Sequence, residues 1–461
     1  MLPLLAPPVL ACTLSARGVA QIDRAAKFVM RQGHVPGISL GVSRNGQILC
    51  ERAYGERNLA RNLPAEPQTR YAIGSITKQF TAAAVLQLVR DGRLALDQRM
   101  GTLLPSYPIA ANVTVRELLN QTSGIPDYAD RPGFDRDASD RVYTPTDLLG
   151  LVRSLPLDFA PGTRWEYSNT NYVILGMLIE KAAGEPFARY LRRSVLGPLG
   201  LHDTVYGAPP AGTRDLALGY RWNGAENVPA PPTPAGAVYS AGALSSTAGD
   251  LLNWDAALLA YRVLDPSSTA MLFTPGTPSG GAGDGYGFGF FIARMYGWRV
   301  YEHSGYVDGF SAVDVLVPGA RIAIAVLSDE DATDMTPLAQ SILAAVEPPK
   351  DAWLSAGRFA PVENENLCVT ARVRSLVGRL ISGRFDPRSL AANLTPVRLA
   401  RLRGTLAGLG PPKLFEFVAR SRRDGIEVYR YRVTLKRGRV WIDVGYGRGG
   451  RIVTLTLRRA N

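Results

Sequence analysis

Strand-like patterning opens and closes the first three quarters of the chain, and helical patterning fills the interval. Near the N-terminus "PGISLGVSRNGQILCERAYGERN" reads as two strands joined at Asn45-Gly46, a pair that favours a tight hairpin because both residues tolerate positive φ. From Ser75 to about Tyr261 the apolar spacing is helical. In "SITKQFTAAAVLQLVRDG", Ile76, Phe80, Ala83, Ala84 and Gln87 fall on one side and Gly92 can end the helix. Strand patterns return in "WRVYEHSG", "GFSAVDVLVPG" and "ARIAIAVLSDE", with Pro318-Gly319 as a turn between the last two, and a helix is expected near Met335 to Val346. A chain of this pattern leaves a sheet, builds a helical subdomain and returns to complete the sheet. The cleft between sheet and helices is then the natural place for a site.

The remainder differs in kind. A length of 461 residues suggests two domains. "EPPKDAWLSAG" reads as a linker, "VRSLVGRLISGRF" as a helix, and the stretch from Lys413 onward alternates for long runs, with turns at Asp424-Gly425, Arg437-Gly438 and Gly449-Gly450. We therefore expect a first domain over residues 21–348 and a small α+β accessory domain over 349–461. Asp351 to Asn461 carries 22 lysines and arginines against 8 acidic residues, so its charge of +14 exceeds the +12 of the whole chain. Such a segment suits either a solvated arginine-rich sheet face or an anionic partner, such as a cell-wall polymer or membrane surface. Nucleic acid is not expected, because no helix-turn-helix, zinc-finger or RNA-recognition signature is present.

Hydrophobic residues make up 46% and charged residues 20%, which predicts a packed core rather than disorder. Cys12, Cys50 and Cys368 are scattered, with no CxxC pair and no neighbouring histidine cluster, so neither a disulfide framework nor a metal site is expected. No cofactor motif is found. The only histidines are His34, His202 and His303, and no G-x-S-x-G elbow occurs, which leaves an α/β-hydrolase serine site little to be built from. The opening "MLPLLAPPVLACTLSARGVAQ" resembles the later part of a secretory signal, without a basic start, so residues 1–20 are read as a candidate signal segment. Val9-Leu10-Ala11-Cys12 also resembles a lipoprotein processing box. The chain is therefore expected to be exported, periplasmic or lipid-anchored.

Three short stretches carry chemistry. Ser75 and Lys78 are three positions apart at the start of a predicted helix and so share a face, with helix N-terminal N–H groups close by. A serine hydroxyl needs a base, and a lysine serves when burial or a neighbouring cation favours its neutral form. Tyr167-Ser168-Asn169 precedes an apolar helix. There Tyr167, as a phenolate favoured by the lysine cation, can take the Ser75 proton, and Asn169 can orient Lys78 and bond a substrate amide. His303-Ser304-Gly305 lies in a strand pattern that puts His303 and Gly305 on one face, where glycine admits a substrate backbone and a protonated His303 attracts an acidic group.

Together, Ser75-x-x-Lys78, Tyr167-Ser168-Asn169 and His303-Ser304-Gly305 resemble the three motifs of the serine β-lactamase and penicillin-recognising family, particularly its class C β-lactamase, D-alanyl-D-alanine carboxypeptidase and esterase branch. "LLNQTSGI", "NYVILGMLIEKAAGEPF", "VLGPLGLHDT" and "YSAGALSSTAGDLLNW" look similar too, and the resemblance runs from about Gln21 to Val346. It implies an α/β (α+β) fold, an antiparallel sheet flanked by helices with a helical subdomain. It also implies an acyl-enzyme on Ser75, proton transfer by Lys78 and Tyr167, and support from Asn169. His303 to Gly305 would form the substrate-side strand, and the N–H groups of Ser75 and Tyr306 an oxyanion hole. Two departures stand out: His303 replaces a common lysine, and Gln121 replaces a histidine often found in an "HTSG" stretch. Tyr128 lies near where class C enzymes place a substrate-contacting glutamine. The implied substrate is an amide, D-amino-acid peptide, β-lactam or small ester. The alternative is a non-catalytic penicillin-binding-like sensor or scaffold that binds through the basic C-terminal domain.

Overall fold

The computed structural model describes residues 12–347, apart from short stretches within 106–109, 132–141, 208–214 and 277–284 and residue 297, together with the C-terminal strands and a few helical residues between 373 and 460. The chain divides into two compact units, Met1–Lys350 and Asp351–Asn461.

In the first unit α1 (Ala16–Gly33) leads into strands β1 (Gly37–Arg44), β2 (Gln47–Asn58) and β3 (Leu63–Pro64). The chain then departs into helices, including α2 (Thr77–Arg90), α3 (Asn169–Ala183), α4 (Ala235–Gly242) and α5 (Ala248–Leu259). It returns as β4 (Phe291–Met295), β5 (Trp298–Val307), β6 (Phe310–Val317) and β7 (Ile322–Ser328), and then forms α6 (Thr336–Val346). The seven strands form one sheet in the order β3-β2-β1-β7-β6-β5-β4, in which β1 pairs antiparallel with β7 through Ile38↔Ser328 and Leu40↔Val326. The leave-and-return pattern of the sequence is thus the sheet's topology. The Asn45-Gly46 turn joins Arg44 to Gln47 with both turn residues at positive φ, 54° and 76°, as a tight hairpin requires.

Helices α1 and α6 pack on each other and on the central strands, while α5 packs on β1, β2 and β7. The central strands are accordingly buried on both faces: β1 is buried from Gly37 to Ser43 and β7 throughout. Helix α2 departs from the one-sided pattern read in its sequence. Every residue from Thr77 to Leu88 is buried, because α3 and α4 cover the sides that the sheet does not. Trp254 of α5 stacks on Phe80 with ring centroids 4.1 Å apart, fixing α2 against α5.

Cys12 is joined to Cys50 by a disulfide, contrary to the expectation from scattered spacing. Thr13 donates its N–H to Leu49 O at 2.8 Å, so the segment before α1 runs alongside the start of β2 and brings the thiols together. Ser15 then caps α1 by accepting the Gly18 N–H at 3.2 Å. The sulfur that a lipid anchor on Cys12 would use is taken up by this bond. Among the described residues no helix is long and apolar enough to cross a membrane.

The second unit contains β8 (Pro412–Arg423), β9 (Ile426–Leu435), β10 (Gly438–Tyr446) and β11 (Ile452–Ala460), paired in sequence order as an antiparallel meander. Tyr429, Tyr431, Val433, Val440, Ile442, Val444 and Leu455 form its core with Val373, Val377 and Leu406. Of the helix expected over 373–385, Val373 and Val377 are described and helical; the other residues, and the turns at Asp424-Gly425 and Gly449-Gly450, lie outside the described residues.

Candidate active site

Ser75 lies in a single 3-10 turn, Gly74–Ile76, that feeds directly into α2. Its neighbour across the cleft is β5. An added Cβ on Gly305 would fall 1.9 Å from Ile73 O and 3.1 Å from the Ser75 N, so only glycine lets this strand lie against the Ser75 turn. The same approach sets Tyr306 N beside the turn, 2.6 Å from where a Cβ on Gly74 would stand.

Lys78, one helical turn on, is completely buried. Its Nζ lies 3.0 Å from Ser75 Oγ, 2.8 Å from Asn169 Oδ1 and 2.8 Å from Ala241 O. Burial holds its pKa down to about 7, against the pull of the Asp127 carboxylate in the other direction. The rings of Tyr167 and Tyr172 flank the ammonium position at 4.9 and 5.5 Å.

The Ala241 carbonyl reaches Lys78 because of a strained turn. Tyr239 adopts φ 38° and ψ −131° inside α4, a conformation costly for a residue with a side chain. Ser240 Oγ donates to Tyr172 O at 2.7 Å and Thr81 Oγ1 donates to Ser240 O at 2.7 Å, pinning the turn between α3 and α2. Gly176 of α3 makes the room: a Cβ there would stand 2.0 Å from Ser240 Oγ.

Tyr167 and Asn169 enter from the start of α3. Gln121 holds that start through its Oε1, which accepts the Ser168 N–H at 3.1 Å and the Asn171 Nδ2–H at 2.6 Å. The residue that departs from the "HTSG" pattern is thus a structural pin for the second motif. Burial raises the Tyr167 pKa well above the ordinary phenol value, with Tyr286 adding to the rise and a hydrogen bond to Ser75 opposing it. Tyr167 is therefore a neutral phenol, and the phenolate expected from the sequence is corrected.

His303 is buried on β5. Its Nδ1 lies 2.7 Å from Ser304 O and its Nε2 lies 3.1 Å from the Tyr286 hydroxyl. A donor at Nδ1 and an acceptor at Nε2 match the neutral imidazole. Burial, reinforced by Lys78, lowers its pKa to about 3. The protonated histidine that would attract an acidic group is not the form held here. Phe291, Tyr286 and Tyr167 pack around the imidazole at ring-centroid distances of 5.4, 5.8 and 6.2 Å.

Ser75, Tyr167, Asn169, Ser304 and Tyr306 are each partly exposed, while Lys78, His303, Gly305 and Tyr128 are buried. Tyr128, expected as a substrate contact, is 1% exposed and donates its hydroxyl to Ala237 O at 2.9 Å. The acid before it is the residue sequence reasoning missed. Asp127 Oδ2 accepts Asn169 Nδ2–H at 2.9 Å and Oδ1 accepts the Ala129 N–H at 3.0 Å, and burial raises its pKa to about 6. Its sequence signal was an ordinary capping aspartate before a short 3-10 turn.

A family model described as Beta-lactamase matches residues 22–347. Protein flp of Staphylococcus aureus (strain N315) is 30% identical over 325 residues, 67% of this chain, and the chain spans 62% of that relative's length. The octameric penicillin-binding protein homologue from Pyrococcus abyssi superposes with a TM-score of 0.66 over 96% of both chains at 22% identity. A D-stereospecific amidohydrolase from Streptomyces sp. superposes at 0.61 with 28% identity, over 71% of this chain and 98% of its own. With its antiparallel sheet flanked by helices, this chain belongs to the beta-lactamase family of serine penicillin-recognising proteins.

Proposed function

We propose that this chain is a serine hydrolase that forms an acyl-enzyme on Ser75, with Lys78 as base and Tyr167 as proton relay. The observation that carries this reading is the surroundings of Lys78 Nζ. A neutral amine has two N–H groups and one lone pair. Asn169 Oδ1 and Ala241 O take the two donors, each at 2.8 Å, which leaves the lone pair for the Ser75 hydroxyl at 3.0 Å. Ser75 Oγ bonds the substrate carbonyl carbon as its proton passes to Lys78. Tyr167, hydrogen-bonded to Ser75, relays that proton to the departing nitrogen or oxygen. Water then releases the acid by the reverse route. The Ser75 and Tyr306 N–H groups, brought together by Gly305, serve as oxyanion donors.

The substrates that fit best are amides and esters without a carboxylate beside the scissile bond. His303 is uncharged and backed by aromatic rings, so this wall offers no cation to the acid of a penicillin or a C-terminal peptide. The Streptomyces relative is a D-stereospecific amidohydrolase, which makes D-amino-acid amides the first class to try. Hydrolysis of D- and L-phenylalanine amide, a p-nitrophenyl ester and, by intact mass, acylation by a penicillin should be compared in wild type and Ser75→Ala. Ser75-dependent turnover of the D-amide or ester is expected. No turnover and no adduct would leave the non-catalytic sensor reading.

We also propose that the chain is exported, since a Cys12–Cys50 disulfide suits an oxidising compartment. The basic second unit would dock on an anionic cell-wall polymer or membrane surface, supported by its +14 charge.

A further inference from the structure

Behind the catalytic helix lie two carboxyl groups with no obvious role. Asp255 of α5 and Asp314 of β6 are both fully buried. Neither oxygen of Asp255, nor Asp314 Oδ1, receives a hydrogen bond from an N–H or hydroxyl group. The remaining oxygen, Asp314 Oδ2, accepts Gln79 Nε2–H at 3.0 Å, and Gln79 Oε1 in turn accepts the Trp254 indole N–H at 2.9 Å. The two carboxyl groups lie within hydrogen-bonding reach of each other. Two carboxylates, both acceptors, would leave these buried oxygens unpaired; a carboxylic acid and a carboxylate can share a hydrogen bond.

We propose that Asp255 and Asp314 share one proton, and that this pair, through Gln79, positions the first turn of α2 and with it Ser75 and Lys78. Gln79 directly follows Lys78, so its tether to β6 fixes the backbone from which the lysine projects. Asp255 and Asp314 would be positioning residues, because neither touches the reacting atoms. Burial pushes Asp255 well above the usual carboxylate range, as a retained proton requires.

The ionisable groups on the surrounding elements do not supply that proton's place. His303, across from Asp314 in register, is neutral and bonded to Tyr286. Lys78 donates into the site. Asp250 of α5 accepts from Thr204 and the Asp203 N–H, and Glu51 of β2 lies against Gly249. On β7 the partner of Asp314 is Ala325.

Asp255→Asn tests the proton, because an amide N–H donates permanently where the acid donates only while protonated. Above the ordinary carboxyl range the unfolded wild type has lost both protons and the folded state keeps one, so wild-type stability falls as pH rises. Its unfolding constant should climb about ten-fold more per pH unit than that of Asp255→Asn between pH 5 and 7. The variant should keep neutral-pH activity and KM, while wild-type kcat alone declines at alkaline pH where the shared proton is lost. Parallel slopes of unfolding constant against pH would overturn the shared proton. Equal alkaline decline in both proteins would overturn the positioning role. Should Asp255→Asn not fold, Asp314→Asn takes its place; failure of both amides to fold also overturns the proposal, since either reproduces the donated bond. The positioning role rests on the acyl-enzyme reading, whereas the unfolding measurement uses no substrate, so the two fail separately.

Discussion

Asp127 accepts the side-chain amide of Asn169 at 2.9 Å, and this decides which end of that amide meets Lys78. With the nitrogen engaged by a carboxylate, the oxygen is turned to the lysine, where it accepts at 2.8 Å. Asn169 is therefore chiefly a bridge between Asp127 and Lys78.

Replacing Asp127 by Asn removes the negative charge that favours protonated Lys78. The acidic limb of kcat/KM against pH should move to lower pH. Asp127→Ala should in addition release Asn169 and lower kcat/KM by about 10- to 100-fold, the worth of a charged hydrogen bond. An unmoved acidic limb in Asp127→Asn would show that the acid acts on shape alone.

Lys78 makes a second pH effect, of opposite sign to the carboxyl pair. Burial lowers its folded pKa to about 7, below the ordinary lysine value, so the unfolded chain binds the proton more tightly than the folded one. Stability contributed at this position rises as pH increases from about 7 towards the lysine range. Lys78→Met should be more stable than wild type near pH 7, by about 1–3 kcal/mol, and inactive. Urea denaturation at pH 7 and pH 9 checks it: the gap between the two proteins should narrow at the higher pH.

Much of this candidate site was legible because its residues sit in short contiguous motifs. Ser75 and Lys78 are brought together by one turn of helix, Gly305 by one strand step, and the sheet by alternation at both ends of the helical stretch. What stayed hidden depends on contacts remote in sequence. Burial of α2 on all sides needs α3 and α4, and the neutral state of His303 needs Tyr286 and Phe291 around it. Asp127 is legible only as a cap until α3 arrives beside it. The strain at Tyr239 leaves no mark in composition, since a glycine is what such a backbone conformation would suggest.

The Cys12–Cys50 bond was equally invisible, because two cysteines separated by 38 positions form no motif. It closes a loop over α1 and the β1–β2 hairpin. Cys50→Ser should lower stability by about 2–4 kcal/mol, the usual worth of such a crosslink. Thiol titration of unfolded, unreduced protein should find Cys368 reactive and Cys12 and Cys50 protected; equal labelling of all three would refute the pairing.

Gly176 gives the sharpest test of how Lys78 is held. Its missing side chain lets Ser240 and the strained Tyr239 sit against α3, and that turn is what aims Ala241 O at Lys78. A methyl group at Gly176 would occupy the space of Ser240 Oγ, so the turn must retreat and the carbonyl with it. Gly176→Ala should cost about 1–3 kcal/mol through overpacking. Its effect on rate should be larger than this loss of stability suggests, because Lys78 loses one of the two acceptors that turn its lone pair towards Ser75. We expect kcat for acylation to fall at least about 100-fold while KM changes little, the pattern of a lost transition-state interaction. Tyr239→Gly serves as the comparison: it relieves the backbone strain but removes a buried ring that packs against Gly176 of α3, so it should cost stability while the Ala241 carbonyl, and with it most of the activity of the folded protein, is kept. If Gly176→Ala instead acylates at the wild-type rate, Ala241 O is not needed to orient the lysine, and Asn169 alone does so.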